Sequence, residues 1–173
     1  GQCYLELRDY TRARKAFTSA IKSAESPEVS AVALLGLAET HYVKGDYSRA
    51  RKLYSKFLDQ RDPAPAPAQR DRATFYLAMS IYRSGDSSAK SLSAFRKITS
   101  EDGVHKHDAL YMAALVLAEQ GDEAGSVELF EQLVSSGSPT YAELARFGLG
   151  SAYFKTKNYA ASEKLLDQFV RDF

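Results

Sequence analysis

A chain of 173 residues, 45% hydrophobic and 26% charged, has the make-up of a folded globular protein, which excludes disorder as its dominant state. Its formal net charge of +1 gives no ground for nucleic-acid or anionic-membrane binding, and no apolar run reaches the roughly 20 residues needed to cross a bilayer. The single cysteine, Cys3, cannot form an internal disulfide and is expected to act as a small packing residue in the first apolar run.

In chain order, the predicted elements are amphipathic helices arranged as hairpins. Residues 1–25 form a partial unit that breaks at Arg8-Asp9. In the next unit, 26–62, apolar or small residues at Leu34, Leu37, Ala38, His41 and Tyr42 precede Gly45-Asp46, and Ala50, Leu53, Tyr54 and Phe57 follow it at helical spacing. Glycine permits the backbone reversal at a helix end, and aspartate caps the free N–H groups of the following helix. Asp62-Pro63-Ala64-Pro65-Ala66-Pro67 then interrupts the pattern as a stiff, extended linker over 63–67. Units 68–102, 104–137 and 139–173 break at Gly85-Asp86, Gly121-Asp122 and Lys157-Asn158, the last two of them separated by the turn 135–138 before Pro139. Measured between Asp9, Asp46, Asp86, Asp122 and Asn158, the intervals are 37, 40, 36 and 36 residues, a period that signals stacked helical units.

The register extends into the helices. Before the breaks stand Leu37-Ala38, Leu77-Ala78, Ala113-Ala114 and Leu149-Gly150, whose small members allow paired helices to approach closely. After them come Ala13 and Phe17, Ala50 and Tyr54, Ser91 and Phe95, Ser126 and Phe130, and Ser162 and Leu166, each an i, i+4 pair on one face. The third unit carries one additional residue after Asp86. This pattern resembles the tetratricopeptide repeat, W-x2-L-G-x2-Y followed by A-x3-F. The fifth unit matches it as Arg146, Leu149, Gly150 and Tyr153, then Ser162 and Leu166, with the tryptophan replaced. The second reads Leu34, Leu37, Ala38 and His41, then Ala50 and Tyr54.

The resemblance implies an all-α fold, a right-handed α–α superhelix (solenoid) of helical hairpins. Because the chain starts and ends within repeats, a longer array, or cover for its end faces by another copy or chain, is expected. The closing run from Leu165 to Phe173 resembles repeat ends in bacterial envelope proteins, which favours a periplasmic home over the cytoplasm.

No constellation for catalysis is recognisable. Gly148-Leu149-Gly150 lies in a helical run without the third glycine or Lys-Ser/Thr pair of a phosphate loop, so its glycines are assigned to packing. His105-Lys106-His107-Asp108 has potential metal ligands but reads as an exposed helix start, and His41 reads as a packing residue. No serine motif with a paired histidine and acid is present. The chain is therefore expected to have no catalytic residue, no metal and no cofactor.

In the family it resembles, the first helices of successive hairpins line a concave groove. Helical spacing assigns to that face Leu35, Glu39 and Tyr42; Arg72, Phe75, Met79, Tyr82 and Arg83; Tyr111 and Leu115; and Phe147, Phe154 and Lys155. Aromatic side chains combine large contact area with a low ordering cost and are frequent interface anchors, although several of these could instead fill the interior of the superhelix. The lysine-asparagine clamp with which some members grip a C-terminal carboxylate is missing, since the matching places hold Leu35, Phe75, Tyr111 and Phe147, then Glu39, Met79, Leu115 and Ser151. The expected role is that of a noncatalytic scaffold binding a peptide or helix of a protein partner, with no nucleic acid and no membrane insertion. Self-association through uncapped ends, or service as the helical arm of an enzyme whose catalytic domain lies elsewhere, are the alternatives. Charge is uneven, with 11 Lys and Arg against 7 Asp and Glu in residues 1–61 but 2 against 9 in 101–150, and it is assigned to solvated outer faces.

Overall fold

The periodic apolar runs form helices; several begin at proline or a capping side chain, and the first helix of each hairpin is followed by a left-handed residue. A computed structural model describes residues 1–100 and 103–171, and these form ten helices and no strand. They are α1 (Gln2–Glu6), α2 (Tyr10–Lys22), α3 (Pro27–Val43), α4 (Tyr47–Leu58), α5 (Pro67–Arg83), α6 (Ser88–Thr99), α7 (Lys106–Glu119), α8 (Glu123–Ser135), α9 (Pro139–Lys155) and α10 (Tyr159–Arg171). Pro27, Pro67 and Pro139 each open a helix, where a missing N–H costs nothing and the fixed φ suits the first turn. Pro67 is thus the first residue of α5, and the linker ends one residue earlier than the alternation of prolines suggests.

The five hairpin turns share one construction. A left-handed residue follows the first helix in each, with φ of 57° at Arg8, 78° at Gly45, 66° at Gly85, 79° at Gly121 and 63° at Lys157. Glycine takes this conformation without a Cβ penalty, and two units place a long cation there instead. The next residue then donates its backbone N–H back across the turn, from Asp9 to Tyr4 O at 2.8 Å, Asp46 to His41 O at 2.9 Å, Asp122 to Leu117 O at 2.9 Å and Asn158 to Tyr153 O at 2.8 Å. That bond is the signature of a Schellman helix end. The same aspartates cap the following helix, accepting from Arg12 N, Arg49 N and Gly125 N at 3.0, 3.3 and 3.0 Å. One residue therefore closes one helix through its backbone and opens the next through its side chain.

The third hairpin departs from this rule for a local reason. Its additional residue moves the start of α6, so that Ser87 Oγ takes the Lys90 N–H at 3.4 Å. Asp86 pairs instead with Arg51 of α4 and lies 3.8 Å from Lys90 Nζ. The bond from Arg51 is the main cause holding the Asp86 carboxyl below its ordinary range.

Two compact units result, Gly1–Lys90 and Ser91–Phe173. In the first, α2 packs between α1 and α3, α4 between α3 and α5, and α3 touches α5. In the second, α8 packs between α7 and α9, α9 carries α10, and α7 touches α9. The small members of the i, i+4 pairs are at the centre of the packing: Ala13, Ala50, Ser91 and Ser126 are fully buried. Their large partners Phe17, Tyr54, Phe95 and Phe130 are buried with them, and Leu166 is half-buried. Each such ring contributes on the order of 1.5–3 kcal/mol by leaving water.

A second small residue, on the following hairpin, receives these rings. A Cβ added to Gly36 would lie 2.4 Å from the ring of Phe17, and one added to Gly148 would lie 2.5 Å from that of Phe130. Gly36 and Gly148 occupy the same register, ten residues before Asp46 and Asn158. Tyr76 holds that register before Asp86, and there Tyr54 stacks on it with ring centroids 6.2 Å apart. At Gly150 the close neighbour is Leu166 Cδ2, 2.8 Å from an added Cβ, which agrees with the packing role assigned to the glycines of α9.

Two expectations need adjustment, and a third, that for His41, holds with an added contact. Cys3 is exposed, because α1 is a five-residue helix that buries none of its side chains. His41 is buried as expected, but its Nδ1 also meets Asp46 Oδ2 at 3.2 Å, tying the helix to its turn. His105 is half-buried rather than exposed, since its Nδ1 meets Asp108 Oδ2 at 2.5 Å.

Gly36→Ala and Gly148→Ala should each lower stability by about 1–3 kcal/mol through overpacking, against the ~1 kcal/mol that helix propensity alone would add. Thermal unfolding followed by circular dichroism distinguishes these, and a raised midpoint would refute the ring-on-glycine account. Burial acts to raise the Asp46 pKa, but the Arg49 N–H, the His41 ring and the Arg49 guanidinium together hold it below the ordinary value. Asp46→Ala should therefore cost about 1 kcal/mol at neutral pH. Because the folded pKa is depressed, that contribution is present above the unfolded value and fades as pH falls below about 4. Denaturant titrations of both proteins across pH 2.5–7 check this, and a pH-independent difference would contradict it.

Candidate partner-binding surfaces

In the first unit, residues selected by spacing converge on a cavity of about 610 Å³ beside α3, α4 and α5, lined by Glu39, Tyr42, Tyr54, Arg72 and Tyr76, with Glu6, Arg8 and Tyr10 from the first hairpin. Helix α3 presents Glu39 and Tyr42 about one turn apart, and α5 places Arg72 and Tyr76 four residues apart on one face. Arg72 Nε meets Glu39 Oε1 at 3.1 Å. Burial pushes the Glu39 carboxyl up, and the Arg72 charge opposes it incompletely. Tyr42 meets Tyr76 edge-on at 4.9 Å and Tyr47 at 5.5 Å. Burial likewise raises the Tyr42 hydroxyl, with Arg83 acting against it.

Tyr54 supplies the unusual polar group. Its side chain is fully buried, yet its hydroxyl has no hydrogen-bond partner among the described residues. Burial first, then the Glu39 charge, push that hydroxyl far above its ordinary pKa, so it stays a neutral phenol. A smaller cavity of about 260 Å³ nearby brings Leu35, Glu39 and Arg72 together with Gln69.

The second unit holds a cavity of about 240 Å³ lined by Tyr111, Leu115, Phe147, Ser151 and Lys155, with Glu123, Ser126 and Phe130 from α8. Lys155 Nζ meets Glu123 Oε1 at 3.0 Å. The other oxygen of Glu123 and the hydroxyl of Ser126 are buried without partners among the described residues. Tyr111 packs against Phe130 and Tyr141, with both centroid distances 5.9 Å, while the Tyr141 hydroxyl donates to Asp108. Phe147 is 51% and Phe154 62% exposed, resting on Phe169 and Tyr159.

The remaining spacing-selected residues divide by burial. Leu35, Phe75 and Met79 are buried and act as core; Tyr82 is half-buried and Arg83 exposed. Tyr54 and Tyr76 were not among the residues that spacing assigns to this face. Tyr76 could have been noticed, because an aromatic stands where the second and fifth units have glycine. Tyr54 could not, since its position is that of an ordinary stacking residue and only its unpaired hydroxyl sets it apart. Among the described residues no three histidine, cysteine or acidic side chains gather as a metal site would require, and no helix is long and apolar enough to cross a membrane.

Comparison with known proteins agrees with this architecture. A search of curated protein sequences returns no match. Among solved structures, MamA residues 41 to end from Desulfovibrio magneticus RS-1 superposes with a TM-score of 0.79 at 14% identity, covering 98% of this chain and 89% of that one. A tetratricopeptide repeat protein from Parabacteroides merdae ATCC 43184 gives 0.80 at 15% identity, covering 99% and 63%. YrrB, described as a tetratricopeptide protein with an unusual peptide-binding site, gives 0.72 at 16% identity, covering 98% and 81%. Identities this low establish the fold alone. The tetratricopeptide repeat sequence model matches residues 1–67 and 111–173. With most of the chain matched and the turns, small-on-large contacts and helix pairing all in register, this chain belongs to the tetratricopeptide repeat family.

Proposed function

We propose that the protein is a noncatalytic scaffold that binds a peptide or helix of a protein partner on the faces left free by its first helices. Tetratricopeptide proteins commonly serve as protein-interaction scaffolds. The observation that carries the reading is that, in each unit taken separately, residues chosen by helical spacing alone line a cavity: Glu39, Tyr42 and Arg72 in one, Tyr111, Leu115, Phe147 and Lys155 in the other. Aromatic walls with a few charged groups suit an extended or helical peptide, whose side chains seat in pockets while its backbone stays near the surface. The peptide-binding description of YrrB is consistent with this use of the fold.

The buried members of the spacing-selected set are poor probes, because altering Leu35, Phe75 or Met79 would disturb the core. Tyr42→Ala in the first unit and Phe147→Ala in the second are the informative substitutions. Against a partner isolated with the wild-type protein, each should weaken binding about tenfold or more, as expected for an aromatic anchor. Calorimetric titration with the purified partner, with circular dichroism to verify helicity, makes the measurement. Unchanged affinity in both variants, with helicity intact, would remove these faces as the binding surface.

A further inference from the structure

The larger cavity of the first unit has a chemical bias at its floor. Glu39, Tyr42, Arg72 and Tyr76 line the cavity together with Tyr54, whose hydroxyl is the buried polar atom there without a hydrogen-bond partner among the described residues. The Tyr54 side chain is fully buried, while the Glu39 side chain is only 18% exposed. Around them stand the ring faces and edges of Tyr42 and Tyr76, at 4.9 Å from one another.

Three kinds of group could enter. An apolar side chain would leave the Tyr54 hydroxyl buried and unbonded, which is unfavourable. A carboxylate or phosphate would be brought beside a carboxylate already short of solvent, where like-charge repulsion is strongest. A cation bearing N–H donors can bond both the phenolic oxygen and the lone pairs of Glu39 that Arg72 leaves open, and it gains further from the tyrosine rings. The opposing charges weigh less: Arg72 is 54% exposed and Arg8 is exposed, so solvent screens both. Glu6, also on the lining, offsets Arg8.

We infer that the cavity beside Glu39 and Tyr54 receives a side-chain cation, the ammonium of a lysine or the guanidinium of an arginine, carried by a bound polypeptide. The inference rests on the scaffold reading above and names what that scaffold recognises in its first unit. No covalent step is involved; the cation replaces water at the tyrosine rings and donates to Glu39 and Tyr54.

The test needs no natural partner. A blocked glycine pentapeptide with one central arginine is titrated into the isotopically labelled protein, alongside versions carrying lysine, citrulline or glutamate at the centre. Saturable shifts of the Glu39, Tyr42 and Tyr54 backbone signals are expected with the arginine or lysine peptide, and binding about tenfold weaker with the neutral citrulline one. Glu39→Gln should lower affinity by about tenfold, and Tyr54→Phe by about threefold while leaving the thermal midpoint unchanged or higher, because the hydroxyl has no protein partner to lose. Equal binding of arginine and citrulline, tighter binding of glutamate, or no shift with any peptide would overturn the inference. Failure of the scaffold reading would show separately, as partner binding indifferent to Tyr42→Ala and Phe147→Ala. Natural partner binding that survives Glu39→Gln, with no peptide shift, would remove the cation site alone.

Discussion

The structure depends first on a turn in which one residue serves two helices. A left-handed position ends the first helix, and the following Asp or Asn donates its N–H back to that helix. Where this residue is Asp9, Asp46 or Asp122, its carboxylate also caps the helix that comes next. Because both bonds originate at the same residue, the directions of the paired helices are coupled over a very short stretch of chain. Everything else is consistent with that angle: the small residues just beyond the turn let the helices close, and the large residue one turn further reaches the neighbouring hairpin. Phe17 against Gly36 and Phe130 against Gly148 are that reach completed, a ring occupying the volume that a Cβ would fill.

Much of this was legible in the residues. Gly45-Asp46 and Gly121-Asp122 announce their turns by chemistry, and Arg8 and Lys157 could be placed by register even though neither residue favours a left-handed backbone. The helix pairing, the buried small positions and the family followed from the same register. What was not legible is how deeply each side chain sits. Spacing puts Leu35, Glu39, Phe75 and Met79 on one kind of face, but burial depends on the neighbouring hairpin, and helical spacing carries no information about that neighbour's volume. Leu35, Phe75 and Met79 therefore belong to the core, whereas Phe147 and Phe154 stand in solvent. The cap at Ser87 was hidden for a related reason: the extra residue after Asp86 was visible, but which oxygen would take the Lys90 N–H is decided by geometry.

The two units share a feature that sequence position does not reveal. Each has buried polar atoms without protein partners at a cavity on its first-helix face, the Tyr54 hydroxyl in one and Glu123 Oε2 with Ser126 Oγ in the other. Folded proteins pair nearly all such groups, because an unmet donor or acceptor costs about 1–3 kcal/mol. All three of these atoms belong to second helices, α4 and α8, at the places where those helices border the cavities. The pairs Glu39–Arg72 and Glu123–Lys155 add charge at the same places without neutralising every oxygen.

The third hairpin also shows how the architecture accommodates an added residue. One added residue after Asp86 leaves α6 with its small and large positions, Ser91 and Phe95, still buried, because a neighbouring serine assumes the capping bond. Asp86, relieved of that duty, becomes an anchor for Arg51 on the preceding hairpin. The turn thus acts as a slip joint: chain length can change there by one residue while the buried contacts on either side keep their phase. A repeat protein with such joints can vary the length of individual units over evolutionary time without losing the register by which they stack.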